Sequence, residues 1–399
     1  MVPLLTLILT AILYSLANRH CYLRAFYESI MLDESIYRGR MDKVQLKLEE
    51  SGADFALLTP APNFQYLAGY DYHMRERLVA LLVRRGADPL MVVPSFEMSD
   101  HKSHTWIEDF LPWAEDEDPY AMIADMLGSS DTEFSVMLDN SLPLGIYWNL
   151  EKSLGRFRKA QSITPAIDSM RISKSENELD LMKKAGHIID DAVMKAFSQA
   201  QLGMTELDVK QLVQSEIVRQ GAVPTFAAVQ FGENSALPHA DSGSRVLKKG
   251  DVVLMDCGCS VDGYNTDMTR VGVAGESTDE IERVYSTVLN AEETAIEKIS
   301  LGMNCGTADG IARRVIEDEG YGDYFTHRLG HGIGLEVHEP PYLVRGSSEV
   351  LGDGMCHSIE PGIYLEGKFG IRIEDLGCIH EDGLEILTYS PRNLIVLDV

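Results

Sequence analysis

The segment SIEPGIYLEGKFGIRIED constrains this chain more than any other, because it sets two carboxylates against each other inside apolar sequence. Glu360 and Glu374 lie at equal distances from Gly367, so a hairpin turning at that glycine makes them direct cross-strand partners. Like charges that face each other destabilise a hairpin. The flanking Ile359, Ile363, Ile371 and Ile373 make it part of a core rather than a rim. Two buried carboxylates without a counter-charge are very unfavourable, and a cation between them is the simplest relief.

A second hairpin repeats the theme. In VVLMDCGCSVDGYNTDMTRVGV the pair Asp262-Gly263 signals a tight turn between two strand-like runs. Folding about that pair sets Asp256 opposite Thr269, and makes Asp256 and Asp267 diagonal neighbours on one face. On their own the two aspartates read as solvated surface groups; beside the glutamate hairpin they read as a site. The segment HRLGHGIGLEVHE adds His327, His331 and His338 within twelve residues, with Gly330, Gly332 and Gly334 allowing close backbone approach. His239, in GENSALPHAD, reads alone as a loop histidine.

Charge narrows the partners. There are 35 Lys and Arg against 62 Asp and Glu, a net −27 that repels nucleic-acid phosphates and anionic lipid. Nucleic acid is therefore excluded as a partner and a membrane surface disfavoured. Six cysteines without a CxxC pair read as reduced thiols of a cytoplasmic protein.

A chain of 399 residues is expected to form two domains. The apolar run Val2–Ala17, at about sixteen residues, falls short of the roughly 20 a membrane-spanning helix needs. It lacks the basic start of a secretory signal. Residues 1–30 thus read as an N-terminal extension: a mis-assigned start ahead of Met31 or Met41, an anchor, or a cleaved signal or other helix. From about Met41 a helical segment leads into the runs DFALLTP, LVALLVRR, PLMVVPS and FSVMLDN, an α/β domain over 31–165. After it, Glu176–Ala200 carries a helical stripe, Thr205 and Asp208 form a capping box, Ser277 and Glu280 another, and a fourth helix spans Thr307 to Gly320. Glycine-punctuated strands between them make 170–399 an α+β domain.

Together, PHA (His239), DCG and DMTR (Asp256, Asp267), GHGIGLEVHE (His331, His338), IEPGIY (Glu360) and RIED (Glu374) resemble the pita-bread metallopeptidases. That family includes prolidase, aminopeptidase P, creatinase and methionine aminopeptidase. The resemblance runs from about Ser173 to the C-terminus with motif order intact. A preceding domain is similar to that of prolidase, aminopeptidase P and creatinase. It implies two divalent metal ions, Mn²⁺ foremost and Co²⁺, Fe²⁺ or Zn²⁺ as alternatives, held by Asp256, Asp267, His331, Glu360 and Glu374. It implies catalytic parts for His239, His338 and Glu360, with Arg372, His239 and His338 on the substrate side. The implied activity is hydrolysis of the bond preceding proline in short peptides by a metal-activated hydroxide. The enzyme would be a Xaa-Pro dipeptidase or aminopeptidase, working as a homodimer. A C–N hydrolase or lyase of non-peptide substrates, or a non-catalytic interaction protein, are the competing readings. The intact ligand set argues against creatinase, which resembles the fold without the metals. Cys356 and His357 ahead of IEP, and Cys257 beside Asp256, bring softer donors near an oxygen-rich set.

Overall fold

The computed structural model describes residues 32–128, 133–238 and 240–399. The apolar run Val2–Ala17, Met31 and His239 lie outside the described residues. Helix α1 (Glu34–Ser51) starts ahead of the expected Met41, because the Asp33 side chain accepts the Ser35 amide and caps it there.

The first half continues with β1 (Phe55–Leu58), α2 (Pro62–Ala68), β2 (Ala80–Arg84), β3 (Leu90–Pro94), α3 (Met98–His104) and β4 (Asp109–Trp113). It ends with α4 (Pro119–Leu127), β5 (Ser135–Leu138), α5 (Leu144–Leu154), β6 (Lys159–Ser162) and α6 (Thr164–Arg171). The six strands form one mixed sheet in the order β4-β3-β2-β1-β5-β6. β1, β3 and β5 are buried along their whole length, which is why their sequence, Ser135 apart, is apolar rather than alternating.

The second half opens with α7 (Glu176–Gln199), started by a reciprocal Ser175–Glu178 capping box, and α8 (Glu206–Arg219), started by Thr205 and Asp208. Leu179, Met182, Ala185, Ile189 and Val193 are buried along the inner face of α7. Each large apolar side chain so buried stabilises the fold by about 1.5–3 kcal/mol. Strands β7 (Val223–Phe231), β8 (Val252–Val261) and β9 (Tyr264–Ala274) follow, and α7 packs across the last two. Helix α9 (Asp279–Lys298) is capped by Thr278, one residue after the expected Ser277, whose neighbour's hydroxyl accepts the Ile281 amide. Helix α10 spans Cys305–Asp318, entering two residues before Thr307. The chain closes with β10 (Gly330–Gly332), β11 (Glu339–Leu343), β12 (Cys356–Ile359), β13 (Gly362–Leu365), β14 (Phe369–Arg372), β15 (Asp375–His380), β16 (Gly383–Ile386) and β17 (Ile395–Leu397).

These strands make a four-stranded sheet, β17-β9-β8-β7, a five-stranded sheet, β11-β10-β12-β15-β16, and the β13–β14 ribbon. Pairing is antiparallel except between β17 and β9. No helix among the described residues is long and apolar enough to cross a membrane.

Candidate metal centre

Asp262 and Gly263 both take positive φ, 48° and 85°, and turn β8 directly into β9. The ladder runs unbroken from Val252↔Val273 to Val261↔Tyr264, so Asp256 faces Thr269 and Asp267 faces Gly258. The period of two then sets Asp256 and Asp267 on one face, and turns Cys257 into the core on the other. Burial pushes the Cys257 thiol well above its ordinary pKa.

The glutamate hairpin is more elaborate than its symmetry about Gly367 suggests. Gly362↔Arg372 ends the β13–β14 ladder, and Ile359↔Asp375 starts the β12–β15 ladder in the same register. Glu360 and Glu374 fall in the gap between them rather than in a ladder pair. Pro361 has no N–H to continue the pairing. Each strand turns elsewhere at the gap: the Glu360 amide donates to Leu329 O at 2.8 Å, and the Glu374 amide to Thr269 O at 3.2 Å.

Histidine 331 enters through close backbone packing. A Cβ at Gly330 would lie 2.0 Å from Ser358 O, and one at Gly332 2.1 Å from Pro340 O, so only glycine fits on either side. His331 Nδ1 donates to Gly332 O at 3.0 Å, which leaves the Nε2 lone pair facing the carboxylates. Nε2 lies 3.4 Å from Glu360 Oε1 and 3.7 Å from Asp267 Oδ2. Burial lowers its pKa to about 3, so the imidazole is neutral and able to ligate.

One ligand atom each from Asp267, His331 and Glu374, all buried, lie within 4.8 Å of one another. Asp267 Oδ1 is buried without a hydrogen-bond partner. Burial, and then the neighbouring carboxylates, raises the pKa of Asp267 and of Glu374 well above the ordinary range. Burial also raises Glu360, to about 7. An unpaired buried oxygen among mutually repelling carboxylates and a neutral imidazole fits a divalent cation.

Asp256 is the exception. Arg372 Nη2 donates to its Oδ2 at 2.5 Å, while Nε donates to Thr269 Oγ1 at 3.0 Å and Nη1 to the Tyr364 hydroxyl at 2.8 Å. Arg372, expected on the substrate side, is 4% exposed and spends these three donors inside the protein. His327 continues the chain, with Nε2 2.8 Å from the Tyr364 hydroxyl and Nδ1 2.7 Å from Arg328 O. His338 is exposed, its ring centroid 4.1 Å from that of His331.

The softer donors do not join the site. Cys356 lies in the core, and His357 is fully buried with Nδ1 3.0 Å from Ser358 O. Three supporting residues escaped the sequence reading: Thr269, whose Oγ1 donates to Glu374 Oε2 at 2.7 Å; Ser358, whose Oγ donates to Glu360 Oε1 at 3.1 Å; and Tyr364. The register had placed Thr269 opposite Asp256 and was the available signal. Tyr364 and Ser358 carried none.

Residues 180–381 match metallopeptidase family M24, and residues 40–173 match the creatinase/prolidase N-terminal domain. A Xaa-Pro dipeptidase from Lactobacillus delbrueckii subsp. lactis is 34% identical over 364 residues, 90% of this chain and 99% of that protein. A solved prolidase from Thermococcus sibiricus has a TM-score of 0.85 at 34% identity, covering 90% of this chain and 99% of its own. An X-Pro aminopeptidase from Thermotoga maritima MSB8 has a TM-score of 0.79 at 31% identity, over 88% and 99%.

Proposed function

The chain belongs to metallopeptidase family M24, and on that footing we propose that it hydrolyses the bond preceding proline in short peptides. It works as a Xaa-Pro dipeptidase or a Xaa-Pro aminopeptidase. The observation that carries this reading is the buried cluster of Asp267, His331 and Glu374, with an unpaired Asp267 oxygen.

We assign two divalent ions to Asp256, Asp267, His331, Glu360 and Glu374, and manganese as the preferred metal for so oxygen-rich a set. When bound, the metals supply an activated water and polarise the scissile carbonyl. Glu360 takes a proton on its carboxylate and returns it to the leaving nitrogen. His338 donates to the developing oxyanion, and His239 orients the peptide. Arg372 holds Asp256 in place through its Nη2 bond to that carboxylate. The bond before proline is a tertiary amide without an N–H, so protonating its nitrogen is the step such a site must supply.

Residues 170–399 form the catalytic domain and 31–165 the wall of its cleft, in a cytoplasmic homodimer that binds neither nucleic acid nor membrane. Among the described residues, the five cysteines are buried free thiols. The test is hydrolysis of Xaa-Pro against Xaa-Pro-Yaa peptides by manganese-loaded protein. Cleavage of the first class alone assigns a dipeptidase, and of the second an aminopeptidase; inertness toward both overturns the proposal.

A further inference from the structure

The loop that carries His338 is tied down from two sides, and one tie comes from the junction between the two halves of the chain. On the first side Asn265, two residues before Asp267, donates its backbone amide and its Nδ2 to Gly334 O at 2.8 and 2.9 Å. On the second side stands Glu339, the residue after His338 and only 4% exposed. Arg171 Nη2 donates to its Oε2 at 2.5 Å and Lys174 Nζ to its Oε1 at 2.8 Å. Arg171 is the last residue of α6, and Lys174 lies in the link to α7.

Arg171 also donates to Glu336 Oε2 at 2.8 Å and, through Nη1, to Asn63 Oδ1 of α2 at 2.7 Å. One guanidinium therefore joins the N-terminal domain to the catalytic loop. Gly334 makes the room: a Cβ there would lie 2.7 Å from Glu339 Oε1 and 2.9 Å from Lys174 Cε. Breaking a buried ion pair leaves uncompensated charge, so the cluster holds its geometry strongly. His338 is exposed, and its position depends on the backbone that Glu339 anchors.

We propose that Glu339 is a positioning residue for the reaction: gripped by Arg171 and Lys174, it holds His338 at the centre. Through Arg171 and Asn63 it also ties that placement to the seating of the N-terminal domain. The inference rests on His338 acting on the substrate.

A double-mutant cycle on the full-length, manganese-loaded protein tests it, with metal content and melting temperature measured beside kinetics. Glu339→Gln should lower kcat about 10- to 100-fold with KM and metal content nearly unchanged, the scale of a misplaced catalytic group. In a His338→Ala background the same change should lower kcat by no more than about twofold, because its effect runs through His338. Asn63→Ala and Arg171→Lys, which leave Glu339 in place, should show smaller losses that vanish likewise in that background. They carry the test if Glu339→Gln does not fold. Losses that multiply across the double variants, or wild-type kcat in folded Glu339→Gln, overturn the proposal. Wild-type kcat in His338→Ala instead overturns the role of His338 beneath it, and the proposal with it.

Discussion

The two hairpins that deliver the carboxylates solve the same problem in opposite ways. β8–β9 is an unbroken ladder of ten pairs, and its aspartates are placed by strand alternation alone. The hairpin from β12 to β15 keeps one register but breaks its ladder where Glu360 and Glu374 stand. Breaking the ladder frees two backbone amides to dock on Leu329 and on β9, which brings the second hairpin against the first. The charge balance differs as well. Asp256 already has Arg372, whereas Glu374 and Asp267 face each other's charge without a cation of their own. An intact ladder is enough to aim a side chain. A gap is needed to join two sheets at one point.

The contrast can be broken most severely by removing metal. Chelation should abolish activity, and Mn²⁺ or Co²⁺ should restore it, because the bound metals would supply the activated water. Full activity in a verified metal-free preparation would refute the two-hairpin centre. Next in size, His331→Ala should lower metal occupancy together with rate. His338→Ala and His239→Ala should keep the metal and lose roughly 10²–10³-fold in rate, the scale of one lost transition-state hydrogen bond. Metal analysis beside kinetics decides this, and equal metal loss in all three variants contradicts the division of roles.

The hairpins should then part company in the metal-free protein. Glu374→Gln removes a buried carboxylate that repels its acidic neighbours and should stabilise it, whereas Asp256→Asn strands Arg372 and should destabilise it, each by about 1–3 kcal/mol. Denaturant unfolding of the two apo variants gives the signs, and matching signs erase the distinction. A pH effect of the same origin is smaller. Glu360 has a folded pKa of about 7 against an ordinary 4.5, and Glu374 and Asp267 are raised too. The folded apoprotein thus binds more protons than the unfolded chain across that window, so the site's contribution to stability is present at low pH and is lost as pH rises through it. The melting-temperature gap between metal-loaded and metal-free protein should widen from about pH 4.5 to 7; a constant gap speaks against it. The least effect lies outside both hairpins. A chain starting at Met31 should hydrolyse Xaa-Pro peptides at an unchanged rate, and a purified truncation with lost activity would assign residues 1–30 a part in the fold.

Much of the site was legible because hairpins are local. The Asp262-Gly263 turn and the symmetry about Gly367 are short-range features, and each determines which residues face each other. The helices were legible from their stripes, although α9 starts one residue later than expected, after Thr278, and α1 starts at Glu34, well ahead of Met41. What escaped was everything that depends on contact between distant segments. Arg372 carries no local sign that its guanidinium turns to Asp256, 116 residues away in sequence. Glu339 reads as a surface acid until Arg171 and Lys174 close on it.

The sequence by itself determined the register of both hairpins, the ligand types they carry and the need for a counter-charge, because turn chemistry, strand alternation and burial act within a few residues. Only the tertiary structure decided where the glutamate ladder breaks, which carboxylate receives an arginine, and what holds the His338 loop. Those outcomes are set by the packing of one sheet against another and of one domain against the next, where hydrogen bonds are chosen among partners that lie far apart along the chain.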